Sequence, residues 1–222
     1  GSLSPNGVGK TTTIGILTGL ITPSSGNVLV NNYDVIKDYK KTRKIIGLSP
    51  QEINLDVFFT IRELLIFQGG YFGLSLLEAK KNADKLLADL GLSDKANSKS
   101  RELSGGMKRR VQIAKALIHD PKIIILDEPT AGVDIELRHL LWKSMKEMNL
   151  KRNKTILLTT HYIEEAEELC DEVAIIDNGK IISKGSPKEL IESIGESQIK
   201  IVVDKTQKKM LNNYKSNIDK NI

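Results

Sequence analysis

LSGGMKRRVQIAKALIHDPKIIILDEPTAGVD, residues 103–134, reads as a loop, a helix, a buried strand and an acidic tip. Ser104, Gly105 and Gly106 offer a hydroxyl and two backbone units without side chains at the start of a helix, where the positive helix end is exposed to an anion. Val111, Ala114, Leu117 and Ile118 then recur at helical spacing over residues 108–119, and Pro121 closes the segment. Ile123, Ile124, Ile125 and Leu126 form the short apolar run expected of a parallel strand buried on both faces. Asp127 and Glu128 follow at its carboxyl end, where open parallel sheets place their ligands. Each feature alone has a bland reading, an N-cap with flexible glycines and a solvated strand end. Together with a phosphate loop elsewhere in the chain they point to nucleotide chemistry.

That loop lies at the amino end. Residues 3–20, LSPNGVGKTTTIGILTGL, place Gly7, Gly9, Lys10 and Thr11 ahead of an apolar helix through Ile14, Ile16, Leu17 and Leu20. Glycines let backbone amides converge on phosphate oxygens, Lys10 reaches the terminal phosphates as a point charge, and the Thr11 hydroxyl joins a Mg²⁺ shell. The first glycine of the pattern is Ser4 here. A buried strand normally precedes such a loop, yet only three residues stand before Ser4, so the sequence is expected to start inside its domain.

The 222 residues suffice for one α/β domain, or a main lobe with a smaller helical one. At 40% hydrophobic and 27% charged, composition is that of a globular chain, and no apolar run approaches bilayer-spanning length. The single cysteine, Cys170, excludes an intramolecular disulfide and reads as a packing residue. A net charge of +5 suits anionic ligands or a membrane surface, but the excess lies in scattered lysines and the tail.

Elsewhere the pattern predicts a strand at 28–30, an Asn-Asn turn and a second short strand, and a strand at 43–48 leading to Gln51. Thr60 with Glu63, and Ser75 with Glu78, read as capping boxes of two helices, the second over 76–90. Residues 59–120 read as a helical lobe, with Phe58, Phe59, Tyr71 and Phe72 candidates for a partner-facing groove. A helix is expected at 135–148, and a strand at 155–159 delivers His161. A helix at 163–170, a hairpin turning at Asn178-Gly179 and a helix capped by Ser186 and Glu189 follow. From Glu196 the chain turns Lys- and Asn-rich after a strand-like run at 198–203, the start of a further extension.

These residues resemble the ATP-binding subunit of an ATP-binding-cassette transporter. The resemblance covers residues 1 to about 190 and rests on six motifs in the family's order: the Walker A loop PNGVGKTT, Gln51 of a Q-loop, the signature LSGGM, the Walker B strand IIILDE, the D-loop AGVD ending at Asp134, and His161 of an H-loop. It implies an α/β fold with a P-loop core, a mostly parallel sheet, a small antiparallel β part and an inserted helical subdomain near 59–120. The cassette would span 1–195 and an extension 196–222.

The resemblance also implies roles. Asn6, Gly7, Val8, Gly9, Lys10, Thr11 and Thr12 would hold the ATP phosphates, and Thr11, Gln51 and Asp127 would position Mg²⁺. Glu128 would act as general base, and His161 would hold the γ-phosphate and the attacking water. Ser104, Gly105, Gly106 and Asp134 would serve the ATP of an opposed second cassette subunit, in a head-to-tail dimer, homo- or heteromeric. Partners would be transmembrane permease subunits at the cytoplasmic face of the cell membrane, where the chain would be peripheral, with no nucleic acid. Met107 in place of the commoner Gln, AGVD and GGYFGLS resemble exporter-type cassettes with separate permeases. The aromatic that stacks on adenine, expected upstream of Walker A, is absent from this sequence. Two alternatives stay open: a soluble cassette ATPase acting on ribosomes or nucleic acid, and a non-hydrolysing fragment.

Overall fold

The structure is a computed structural model and describes residues 2–3 and 9–194. The chain divides into two compact units, residues 1–190 and 191–222. The first is an α/β unit built on one six-stranded sheet. Its strands are β1 (Ser2–Leu3), β4 (Ile46–Ser49), β5 (Ile123–Asp127), β6 (Thr155–Thr160), β7 (Val173–Asp177) and β8 (Lys180–Gly185), in the order β4-β5-β6-β1-β7-β8. All pairs are parallel except β7 with β8. A separate antiparallel pair joins β2 (Leu29–Val30) to β3 (Tyr33–Asp34). Both antiparallel connections have two central residues in the left-handed region, Asn31 and Asn32 in one, Asn178 and Gly179 in the other, as such tight hairpins require.

The apolar run 123–126 works as a two-faced strand. Ile124 and Leu126 pack with Leu141, Trp142, Met145 and Met148 of α6 (Ile135–Arg152), whereas Ile125 packs with Ile14 of α1 (Lys10–Leu17) and with Val30, Val35 and Ile46. Successive side chains point to opposite faces, so a strand covered on both sides is apolar throughout. By the same alternation Asp127 falls on the α1 side.

Three helices form a second apolar cluster: α3 (Ile61–Tyr71), α4 (Leu76–Asp89) and α5 (Gly105–Leu117), around Leu65, Ala83, Leu87, Leu92, Val111 and Ile118. Thr60 and Ser75 head α3 and α4 with complete capping boxes to Glu63 and Glu78. α5 lies so close on β4 that a Cβ at Gly47 would stand 2.1 Å from the Ala116 carbonyl oxygen, which only a glycine permits. α7 (Ile163–Leu169) and α8 (Pro187–Ile194) complete the elements, α8 headed by the reciprocal Ser186–Glu189 bonds.

Several expectations need correction. Residues 43–45 are helical, the end of α2 (Tyr39–Ile45), and β4 starts only at Ile46. Seven residues with three lysines and one arginine show no clear apolar period, and α2 is held instead by buried Thr42 and by Arg43 donating to the Gly19 carbonyl. α1 stops at Leu17, because Gly19 turns left-handed, and leaves Leu20 exposed. α5 starts at Gly105 rather than 108, with Ser104 as N-cap, and α6 runs on to Arg152. The strand-like run 198–203 lies outside the described residues.

Phe72 does not face a groove. It packs on the helical cluster and stacks on His119 with ring centroids 3.6 Å apart. His119 Nε2 lies 3.1 Å from the Ile46 carbonyl oxygen, while Nδ1 is buried without a hydrogen-bond partner among the described residues. Burial therefore lowers the His119 pKa below its ordinary 6.5, although the Ile46 carbonyl opposes this. The unfolded chain then binds a proton that the folded chain resists, so this contribution to stability is present above the unfolded value and lost as pH falls below it. Denaturant unfolding between about pH 7.5 and 5.5 should show stability falling toward acid, with a smaller fall in His119→Gln.

Candidate functional site

Four neighbouring parallel strands, β4, β5, β6 and β1, end at the same edge of the sheet. Gln51 follows β4, Asp127 and Glu128 end and follow β5, and His161 follows β6. β1 leads through residues 4–8 to Gly9 and α1. The topology thus brings residues scattered over more than 150 positions to one edge, where open α/β sheets carry their sites.

Glu128 is the point of convergence. Its Oε1 lies 3.2 Å from Lys10 Nζ, both groups being almost fully buried, and its Oε2 accepts from Gln51 Nε2 at 3.0 Å. His161 Nδ1 stands 3.6 Å from the same Oε2, on a ring 42% exposed, so His161 has access to solvent while Glu128 does not. Glu128 adopts a left-handed backbone, φ 47°, an uncommon conformation for a residue with a Cβ and one found at sites that over-determine it. Its N–H is shared by the carbonyl and the hydroxyl of Thr159, each at 3.1 Å. The Thr159 hydroxyl in turn donates to Asp127 Oδ1, leaving Oδ2 for other partners.

Gly9, Lys10, Thr11, Thr12, Gln51, Asp127 and Glu128 line one cavity of about 170 Å³. Gly9 is left-handed at φ 94° and starts α1 without a side-chain cap. Asn6, Gly7 and Val8 lie outside the described residues. Ser104, Gly105, Gly106 and Asp134 do not line this cavity. Ser104 caps α5 through the Met107 N–H, Asp134 caps α6 through the Leu137 N–H, and Leu137 meets both segments, since a Cβ on Gly106 would stand 2.5 Å from its Cδ2. The signature and the Asp134 loop are therefore neighbours.

Sequence reading missed the groups that hold these residues. Arg109, buried on α5, donates to the Pro50 and Gln51 carbonyls at 3.1 and 2.8 Å, and Gln112 donates to those of Pro50 and Glu52. Together they fix the backbone that presents Gln51. Burial pulls the Arg109 guanidinium below its ordinary value, and the negative charges of Asp127 and Glu128 oppose this. Both polar residues share the face of α5 that carries Ile113 and Ala116, opposite the stripe of Val111, Ala114 and Ile118, so that stripe gave no sign of them.

The ABC transporter family pattern matches residues 3–131. The Nod factor export ATP-binding protein I of Burkholderia lata is 47% identical over 193 residues, covering 87% of this chain and 63% of that protein. The protein of the same name from Cupriavidus metallidurans is 44% identical over 208 residues, 93% of this chain and 68% of its own length. The chain spans just under two thirds of the Burkholderia relative. Among solved structures, CbiO1 from Clostridium perfringens, part of the ABC transporter complex CbiONQ, superposes with a TM-score of 0.77 at 33% identity, covering 87% of this chain and 78% of the other. A dimeric post-hydrolysis state of the ATP-binding cassette MJ0796 bound to ADP and Pi gives 0.76 at 29% identity, over 84% of both chains. The chain belongs to the ABC transporter family and has the fold of its ATP-binding subunits.

Proposed function

We propose that this chain binds and hydrolyses ATP and thereby drives export through transmembrane permease subunits, working as a head-to-tail dimer with ATP held between two cassettes. The observation that carries the reading is the buried Glu128 carboxylate, met by Lys10, Gln51 and His161 beside a cavity that α1 opens onto. A terminal phosphate offers Lys10 a denser negative charge than a carboxylate does, so bound ATP draws Lys10 from Glu128. Glu128, desolvated and no longer neutralised by Lys10, then takes a proton from a water aligned on the γ-phosphate, with His161 at the solvent side of the same oxygen. Gln51, held by Arg109 and Gln112, orients the carboxylate. Ser104, Gly105, Gly106 and Asp134, neighbours outside this cavity, would face the nucleotide of the second subunit.

Mg²⁺ fits the donor set. Thr11, Gln51 and Asp127 bring a hydroxyl, an amide oxygen and a carboxylate to one cavity, all hard oxygen ligands. No group of three or more His, Cys, Asp or Glu side chains that could hold a metal ion occurs among the described residues. When bound, the ion neutralises phosphate charge.

No helix among the described residues is long and apolar enough to cross a membrane. The relatives are named as export ATP-binding proteins, and on that likeness the translocating path would come from partner permeases, with this chain peripheral at the cytoplasmic face. The contact surface would be the groove of about 560 Å³ between β4 and the helical cluster, where Phe59, Phe67 and Tyr71 are exposed beside Pro50, Asn54 and Lys115. Export as the direction follows the names of the relatives. Affinity capture of the tagged chain from detergent-solubilised membranes of its native cell tests this. Recovery with a multi-spanning membrane protein, lost in Tyr71→Glu, is expected; recovery with ribosomes alone would contradict it.

A further inference from the structure

Glu165 has no exposed surface, sits four residues past His161 on α7, and has no part in the reaction proposed above. Its Oε1 accepts from the Thr130 hydroxyl at 2.9 Å and from the Trp142 indole N–H at 3.0 Å. Its Oε2 is buried with no hydrogen-bond partner among the described residues. Burying a carboxylate is costly, and a site needed for packing alone is served at least as well by an apolar side chain of similar volume. The position therefore calls for an acceptor.

What the acceptor grips is informative. Thr130 lies two residues past Glu128, in a turn where the Ala131 N–H returns to the Glu128 carbonyl and the Val133 N–H to that of Thr130. On the other side, the Ala166 N–H donates to the carbonyl of Tyr162, the residue after His161, and the Tyr162 N–H donates to the Thr160 hydroxyl at the end of β6. One oxygen thus ties the turn that carries Glu128 to the helix that follows His161, across the pair whose reacting atoms stand 3.6 Å apart. Trp142 adds a third tie, to α6. Thr130 is itself fully buried, so solvent cannot substitute for the bond.

We propose that Glu165 is a positioning residue that sets the separation and orientation of Glu128 and His161 by holding Thr130 from α7. The proposal rests on the roles given to those two residues. Misplacement of reacting groups by as little as an ångström lowers turnover without weakening substrate binding, so the expected signature is in kcat and not in KM.

The test uses the purified chain and three substitutions, Glu165→Ala, Glu165→Gln and the near-isosteric Thr130→Val, with Mg-ATP turnover and NMR of ¹⁵N-labelled histidine. Glu165→Ala and Thr130→Val should lose kcat by about ten-fold or more with KM for ATP within about two-fold, and should shift the His161 ring resonances. Glu165→Gln keeps an acceptor oxygen for both donors and should restore most of the kcat lost in Glu165→Ala. Wild-type kcat in folded Thr130→Val, with only its melting temperature lowered, would overturn the proposal, and this variant decides the matter if Glu165→Ala does not fold. A Gln variant as slow as Ala would also overturn it, since charge and not the acceptor would then matter. Glu128→Gln separates the two levels: if it is inactive while Thr130→Val turns over normally, only the positioning role fails, and if it hydrolyses ATP like wild type, the assignment of the base fails and the proposal with it.

Discussion

Glu128→Gln is expected to slow phosphate release from Mg-ATP by about 10²–10⁴-fold while leaving ATP affinity at or slightly above the wild-type level. The substitution keeps shape and an oxygen acceptor in a buried place whose backbone is pinned by two bonds to Thr159, so the local backbone should keep its course while the loss of the Lys10 counter-charge lowers stability. What it removes is the charge of a buried carboxylate whose two oxygens meet Lys10 and Gln51, which line the same cavity. An amide cannot take the proton of an attacking water. It also stops competing with phosphate for Lys10, which stands 3.2 Å away. Single-turnover kinetics with equilibrium nucleotide binding separate the two effects; a loss confined to affinity would mean that Glu128 is a binding group and not a base.

Lys10→Ala is the second large effect, and it has two parts. Removing a charge-assisted contact to phosphate costs about 1.5–3 kcal/mol, so ATP affinity should fall by roughly ten- to a hundred-fold. The second part is structural. Lys10 and Glu128 are 6% and 4% exposed, and deleting one partner of a buried ion pair leaves the other charge poorly compensated, at about 3 kcal/mol of stability. Lys10→Ala should therefore unfold at lower denaturant than wild type, and Lys10→Ala with Glu128→Gln should recover much of that loss, a non-additivity that double-mutant analysis reads directly. Equal stability of the two Lys10→Ala backgrounds would show that the pair contributes nothing to the fold.

Much of this architecture could be read before any coordinates, where the information is local. The Thr60–Glu63 and Ser75–Glu78 boxes, the Asn178-Gly179 turn and the run 123–126 are each specified within a few residues, and each folds as its pattern requires. The cluster at the sheet edge was legible for another reason: carboxyl ends of parallel strands converge, which singled out Asp127, Glu128 and His161, whereas Gln51 was picked out only by the family resemblance. The rest depends on partners far away in sequence. α2 has too few apolar positions to show a period, and Phe72 turns inward because His119, 47 positions on, offers it a flat partner. Arg109 and Gln112 bond carbonyls of residues 50–52, and a backbone carbonyl leaves no trace in a side-chain pattern. Glu165 looked like one more acid in an acidic helix, and only burial distinguishes it from Glu164 and Glu167.

The measurement that tests the central claim most directly is light scattering of purified Glu128→Gln with and without Mg-ATP, beside phosphate release by wild type under the same conditions. Trapped before hydrolysis, two cassettes should hold ATP between the Lys10 cavity of one and the Ser104–Asp134 surface of the other, doubling the mass only when nucleotide is present. A monomer at every ATP concentration, with hydrolysis unchanged from wild type, would contradict the account.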